Sequence, residues 1–130
     1  MTATTIARGA DMDDAKIPLQ NYVHAHESGN ADFMRSAFTP DAKVVGYMGG
    51  HMISWTVDQY AERFSGRPAA DEAQRKRSIE ILDLTGDAAV ARVVLDYPAM
   101  RFVDYMSLLK IDGEWKIVNK SFNAQSKPKS

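Results

Sequence analysis

The segment LLKIDGEWKIVNKSF, residues 108–122, constrains the fold more than any other part of the chain. It contains two apolar-rich runs joined by an Asp-Gly pair at 112–113, which is typical of a tight turn between antiparallel strands. Its apolar residues do not alternate with polar ones, since two leucines are neighbours at 108–109 and Ile117 adjoins Val118. A ribbon with one exposed face would keep that face polar. We therefore expect both faces of this hairpin to be covered.

The position of the turn decides which side chains share a face. A turn that begins at Lys110 and holds Gly113 in the left-handed region predicts a three-residue loop. In that register one face carries Tyr105, Ser107, Leu109, Trp115, Ile117 and Asn119. The other face carries Phe102, Asp104, Met106, Leu108, Lys116, Val118, Lys120 and Phe122. We expect helices to cover the first face, and a slip of one residue would exchange the two sets.

Three helices are predicted in the first half of the chain. The first begins near Ile17, because Pro18 suits a first helical turn better than a helix interior. Asn30 is the expected N-cap of a short second helix. The third helix follows Thr56, which forms a capping-box pattern with Gln59.

Strands are predicted where the hydrophobic period changes to two. The run KVVGYM, residues 43–48, is a short strand between helices. Two longer strands, at 75–85 and 88–98, flank a Gly-Asp turn, and with the terminal hairpin they form a four-stranded antiparallel meander. Helices followed by such a meander indicate an α+β fold.

Length and composition set further bounds. The 130 residues predict one domain, which we place at 13–124 between flexible segments at 1–12 and 125–130. A net charge of −1 gives no electrostatic reason to expect binding to nucleic acid or to a membrane. Without cysteine there can be no disulfide or zinc–thiolate site. No apolar run is typical of a signal peptide or a membrane span, so we expect a cytoplasmic protein.

The outer face of the hairpin needs its own cover, because three short helices cannot wrap both faces of a five-stranded sheet. We expect a second copy of the chain to supply it, giving a homodimer. The residues expected at that contact are Met106, Leu108, Val118 and Phe122. The alternative is a curved sheet whose outer apolar residues stay partly exposed.

Several motifs resemble one known superfamily. They are YVHAHESGNADFMRSAFTPDAKVVGY, GDAAVARV and the terminal hairpin, within residues 13–124. They are similar to motifs of the NTF2-like superfamily, also called SnoaL-like or ketosteroid-isomerase-like. The hairpin and GGHMISWTVDQY look closest to the branch labelled "putative lumazine-binding". The resemblance implies a cystatin-like cone, with three N-terminal helices on a curved, mainly antiparallel mixed sheet. It also implies a homodimer and a pocket inside the cone.

The resemblance does not bring the ketosteroid isomerase site with it. That enzyme uses an aspartate base and an oxyanion hole made by a tyrosine and a protonated aspartic acid. The tyrosine matches Tyr22, but the base position falls on Gly46 and the second acid on or near Ser107. Asp104 lies on the opposite face in the predicted register. One match in three argues against that isomerase.

Polyketide cyclases and dehydratases of the superfamily use histidine and aspartate, so the resemblance makes the histidines catalytic candidates. His26 shares the inner stripe of the first helix with Tyr22, His51 lies beside two glycines, and His24 is expected on the solvent side. The catalytic candidates are therefore Tyr22, His26 and His51, although no carboxylate partner is identifiable. The histidines lack metal-ligand spacing, and neither a metal site nor a cofactor is predicted.

The expected ligand contacts are Tyr22, His26, Trp55, Tyr60, Tyr105, Ser107, Trp115 and Asn119. Three hypotheses for function remain open at this point. The chain binds a small, flat, largely apolar ligand in the cone, or it is a cyclase, hydratase or isomerase acting on a small organic substrate. In the third hypothesis it is a dimeric interaction module whose cone is filled by its own side chains.

Overall fold

The computed structural model describes residues 8–128; residues 1–7 and 129–130 lie outside the described part. Three helices precede or interrupt a six-stranded sheet in these residues. The helices are α1 (Arg8–Ser28), α2 (Ala31–Ala37) and α3 (Val57–Ala61). The strands are β1 (Phe38–Met48), β2 (His51–Thr56), β3 (Lys76–Thr85), β4 (Ala88–Asp96), β5 (Met100–Ile111) and β6 (Glu114–Ser126).

Helix α1 begins at Arg8, well before the predicted start near Ile17. Pro18 therefore lies inside the helix, where its missing N–H leaves the Asp14 carbonyl without the usual helical donor. The helix continues through this point because Ala15 and Leu19, on either side of the proline, are both fully buried in the core. Packing outweighs the local cost of the proline, so the predicted boundary was wrong, and residues 8–12 of the predicted flexible segment are helical.

The other two helices begin where their caps predict. The Asn30 side chain accepts the Asp32 N–H at the start of α2. Thr56 and Gln59 exchange both hydrogen bonds of a capping box at the start of α3.

The sheet has the strand order β2-β1-β6-β5-β4-β3. Strand β1 runs parallel to β6, and every other neighbouring pair is antiparallel. The edge strand β2 was not predicted, and it makes the sheet six-stranded rather than five-stranded. Its residues were interpreted as the loop before α3, whereas they pair with β1 as far as Thr56, opposite Lys43.

The register predicted for the terminal hairpin is wrong. Both Asp112 (φ 50°) and Gly113 (φ 85°) are left-handed, so the turn has two residues and Ile111 pairs with Glu114. The β5 residues predicted to point outward therefore lie against the helices, with Met106 0% exposed and Leu108 1% exposed.

A bulge in β6 adds a second departure from the predicted faces. Leu108 pairs with Ile117 and Ser107 pairs with Asn119, so Val118 is the extra residue between them. Ile117 and Lys120 are three residues apart and would lie on opposite faces of a regular strand. Because of the bulge, both are buried on the helix side.

The core therefore lies on one side of the sheet, between its concave face and α1 to α3. No helix among residues 8–128 is long and apolar enough to cross a membrane. The cytoplasmic location expected from the sequence stays a prediction.

Candidate functional site

A pocket of about 590 Å³ opens between the concave face of the sheet and the helices. Its wall is largely aromatic and includes Trp55, Tyr60, Phe64, Tyr97, Phe102 and Phe122. Rings of this kind offer flat apolar surface to a planar molecule.

Three of these rings lie nearly parallel. Trp55 is stacked on Tyr60 with centroids 5.8 Å apart, and on Phe122 with centroids 6.3 Å apart. Phe122 reaches this position because it pairs with Gly46 on the neighbouring strand. A Cβ atom added at Gly46 would overlap the Phe122 ring. The position where ketosteroid isomerase carries its base is thus covered by an aromatic ring.

A network of buried polar side chains lies beside the aromatic wall. The Tyr22 hydroxyl donates to Asp104 Oδ2 at 2.5 Å. Lys120 Nζ donates to the Tyr22 oxygen at 2.6 Å and to the Tyr60 oxygen at 2.9 Å, and it lies 3.7 Å from Asp104 Oδ2. Asp104 is fully buried and Lys120 is 3% exposed, so this ion pair is screened from water.

The network continues from Tyr60 to a histidine. Tyr60 Oη lies 3.1 Å from His26 Nε2. Because the Tyr60 oxygen already accepts from Lys120, its own proton is free to point at His26. The five groups form one hydrogen-bonded chain from Asp104 through Tyr22, Lys120 and Tyr60 to His26.

Burial and neighbouring charges shift the pKa values of four groups in this chain. Burial holds the pKa of His26 well below its usual value, and the Lys120 ammonium lowers it further, so His26 is a neutral acceptor near pH 7. Burial opposes the charge on Lys120, but Asp104 and then Tyr60 outweigh it and leave the pKa of Lys120 raised. Burial, followed by the Asp104 charge, raises the pKa of Tyr22 well above its usual value. Burial also raises the pKa of Asp104, against the opposing effects of Lys120 and Tyr22.

Only part of the network lines the pocket. His26, Tyr60 and Lys120 line it, whereas Tyr22 and Asp104 do not. Two of the three Lys120 N–H groups are used by the tyrosines, which leaves one for a ligand. The Tyr22–Asp104 pair therefore supports Lys120 from behind, and one oxygen of Asp104, Oδ1, has no hydrogen-bond partner among the described residues.

A second wall of the pocket is held by two arginines. The Arg77 guanidinium, with a side chain 5% exposed, donates to both oxygens of Glu72 at 2.6 Å and 2.9 Å. Its Nε donates to the Tyr97 hydroxyl at 3.2 Å, and Arg75 Cζ lies 4.0 Å from the centre of the Tyr97 ring. Tyr97 is thereby fixed in orientation.

The predicted site residues fall into three groups. His26, Trp55 and Tyr60 line the pocket, and Tyr22 contacts the lining residues His26, Tyr60 and Lys120 from behind. His51 is exposed at the start of β2 and does not line the pocket.

The remaining four predicted contacts lie elsewhere. Trp115 is buried in the core and lines a separate cavity of about 440 Å³. Tyr105, 46% exposed, and Ser107 face away from the helices because the two-residue turn exchanges the faces of β5, and Asn119 does so because it follows the bulge at Val118 on β6. None of these four lines the aromatic pocket.

Sequence reasoning missed Asp104 and Lys120 as site residues. It placed both on the outer face, whereas the structure buries them as an ion pair next to Tyr22. The Asp-Gly turn was the signal that could have found Asp104, since a two-residue loop puts it on the helix face, whereas Lys120 points inward because of the bulge at Val118. Among residues 8–128 no group of three histidine or carboxylate side chains could hold a metal ion.

The chain is similar to one known protein family and to a curated protein. A family model with the description "Putative lumazine-binding" matches residues 10–123. The curated protein "Aldolase FrzH" of Cladobotryum sp is 26% identical over 105 residues, which span 79% of this chain and 82% of that protein.

Two crystal structures of NTF2-like proteins of unknown function are also similar. The protein from Methylobacillus flagellatus KT is 35% identical with a TM-score of 0.76, over 89% of this chain and 93% of its own. The protein from Shewanella baltica OS155 is 23% identical with a TM-score of 0.81, over 97% of this chain and 100% of its own.

Proposed function

The chain belongs to the family described as "Putative lumazine-binding", and from that premise we propose that its pocket binds a small, flat, largely apolar organic molecule. In this proposal the plane of the ligand packs against Trp55 and Phe122. A ligand oxygen, either a carbonyl or a phenolic oxygen, accepts a hydrogen bond from Lys120. The family description alone does not select lumazine within this class.

The observation that carries the proposal is a buried ammonium at the edge of an aromatic pocket. Lys120 is 3% exposed and yet lines the pocket with an N–H group to spare. A charged N–H donor that is shielded from water binds an oxygen acceptor more strongly than a solvated ammonium does. The open volume of about 590 Å³ counts against the hypothesis of a cone filled by its own side chains.

Binding is tested by a thermal-shift screen with flat heterocycles, including lumazine and flavins, and with sterols and polyketide-like acids. A ligand that binds only the folded state raises the melting temperature, whatever chemistry follows. Hits are then titrated by following tryptophan fluorescence quenching against the double variant Asp104→Asn/Lys120→Met, which removes the ammonium without leaving Asp104 unpaired. We expect the variant to bind at least about tenfold more weakly, which is the loss of one charged hydrogen bond. A panel that shifts nothing contradicts the proposal.

A second candidate, proton transfer at carbon next to a carbonyl, is favoured by the Tyr60–His26 contact. In this scheme the Tyr60 oxygen takes the proton from the substrate carbon as its own proton passes to His26 Nε2. Lys120 stabilises the enolate oxygen that forms. The relative named "Aldolase FrzH" supports enolate chemistry, since an aldol addition begins with such a step.

This candidate is tested without knowing the second substrate. Ligands from the screen are incubated with the protein in D₂O, and hydrogen–deuterium exchange next to the carbonyl is followed by NMR. We expect exchange with the wild-type protein and at least about a hundredfold slower exchange with Tyr60→Phe, the usual size of one acid–base contribution. Exchange at equal rates with the variant excludes this role for Tyr60.

We also propose that the outer face of the sheet pairs with a second copy of the chain. Three of the residues expected at this contact do not lie on the outer face. Met106 and Leu108 are buried in the core, and Phe122 lines the pocket. The exposed apolar residues on that face include Tyr47, Met52, Val90, Tyr105 and Leu109.

A further inference from the structure

We infer that the natural ligand carries an acidic group, a carboxylate or a phosphate, and that Arg63 and Arg67 bind it at the mouth of the pocket. This inference rests on the proposed function, because it describes the far end of the molecule whose oxygen meets Lys120. It names the charge of the ligand, which the aromatic wall alone does not determine.

The pocket is positively charged although the chain as a whole is not. Its lining contains four cationic side chains, Arg63, Arg67, Arg75 and Lys120, and no carboxylate. The whole chain has a formal net charge of −1. A cleft lined by one sign of charge with apolar walls concentrates ligands of the opposite sign.

Two of the four cations are neutralised by partners. Arg75 Nε donates to Asp71 Oδ1 at 2.7 Å, and Lys120 is paired with Asp104. Neither Arg63 nor Arg67 forms an ion pair with any carboxylate of residues 8–128. The uncompensated positive charge therefore lies at these two side chains, both of which are exposed.

Arg63 is held in place by an aromatic ring. Its Cζ lies 4.6 Å from the centre of the Trp55 ring, which is itself part of the wall. A guanidinium stacked on a ring leaves its N–H edge free for a bidentate contact with a carboxylate or phosphate. A flat ligand packed in this pocket would bring an acidic substituent within reach of that edge.

Arg67 is held in place by its backbone. The Gly66 N–H donates to the Gly29 carbonyl at 2.9 Å, and the Ser65 hydroxyl donates to the Arg67 carbonyl at 3.0 Å. The approach is so close that a Cβ atom at Gly29 would overlap the Arg67 carbonyl. The loop that carries Arg67 is thus docked against the α1–α2 junction, which reduces the entropy lost when a ligand binds.

The test compares three ligands that differ only at one end: 6-hydroxy-2-naphthoate, the corresponding phosphate ester 6-hydroxy-2-naphthyl phosphate, and the neutral 6-hydroxy-2-naphthamide. Affinities are measured by titration calorimetry with the full-length protein. We expect at least one acid to bind about tenfold more tightly than the amide, as for a charge-assisted contact. The relative affinity of the two acids tells a carboxylate site from a phosphate site.

The double variant Arg63→Gln/Arg67→Gln should lose the preference for the acid and bind acid and amide equally. Arg92→Gln is the matched control, because Arg92 is exposed on β4 and pairs with Glu80 outside the pocket. It should keep the preference for the acid. Equal binding of all three ligands to the wild-type protein overturns the inference but leaves the proposed function standing. Failure of all three to bind also overturns the inference, whereas the proposed function falls only if the thermal-shift panel shifts nothing.

Discussion

Asp104 on β5 and Lys120 on β6 form an ion pair in the interior of the protein, with Oδ2 and Nζ 3.7 Å apart. The Tyr22 hydroxyl lies between them, donating to the carboxylate and accepting from the ammonium. An isolated charge in such a place would cost several kcal/mol, so each group depends on the other for its ionised form.

The first prediction concerns this mutual dependence. Asp104→Asn should lower the free energy of unfolding by about 3 to 5 kcal/mol, because it leaves the buried Lys120 ammonium without a counter-charge. The double variant Asp104→Asn/Lys120→Met should be more stable than the single variant, since no charge is then buried. Urea denaturation measures both, and a double variant that is less stable than Asp104→Asn contradicts the account.

The second prediction concerns pH. His26 has a folded-state pKa well below its usual value of about 6.5, so the unfolded chain takes up the proton first as pH falls. The contribution of His26 to stability is complete above pH 6.5 and is lost as pH falls below it, by at most about 1.4 kcal/mol per pH unit.

The matched variant for that prediction is His26→Asn, which cannot titrate. Unfolding free energies of the two proteins are compared between pH 7.5 and pH 5. The wild-type curve should fall more steeply with decreasing pH than the variant curve. Parallel curves over that range contradict the prediction.

The third prediction concerns the space below Phe122. Gly46→Ala should displace the ring and separate it from Trp55, which costs about 1 to 3 kcal/mol of stability and weakens ligand binding. Gly9→Ala is the control, because a Cβ atom there meets nothing within 4 Å. In a helix that change should be neutral or stabilising by up to about 1 kcal/mol. Denaturation and Trp fluorescence measure the two effects, and unchanged fluorescence in Gly46→Ala argues against the stacking role.

The fourth prediction concerns the outer face. Sedimentation should show a dimer of the wild-type protein at micromolar concentration, and the double variant Tyr105→Asp/Leu109→Asp should sediment as a monomer, because two charges would be buried at the contact. Ile17→Asp is the control, since Ile17 is an equally apolar and 51% exposed residue on α1. A wild-type monomer contradicts the proposed homodimer.

Much of the fold could be predicted from local patterns. The α+β plan and the caps at Asn30 and Thr56 are confirmed, because each depends on hydrophobic period or on side chains a few residues apart. The superfamily, which was expected from the resemblance of whole motifs, is confirmed as well. Tyr22 and His26 were correctly placed together, since residues four apart share a helix face.

The rest of the site depended on counting residues around a turn. Treating the loop as three residues long moved Asp104 to the outside and Tyr105 to the inside, so one error at Asp112 changed every assignment on β5. The two arginines at the mouth of the pocket could not be predicted either, because Arg63 and Arg67 come to line the pocket only through tertiary packing. Local chemistry predicts which elements form, whereas side-chain contacts between distant segments require the register.

The extra residue at Val118 allows one strand to contribute both an apolar and a charged side chain to the interior. A last strand that alternates strictly can direct either Ile117 or Lys120 toward the helices, but not both. Its inner face would then be either apolar or charged. With one extra residue between them, both side chains point toward the helices. Ile117 then packs in the apolar core and Lys120 places its ammonium beside the pocket. Removing that single residue would turn the amine toward water and leave its carboxylate partner buried without a counter-charge, although no side chain of the site would have been replaced.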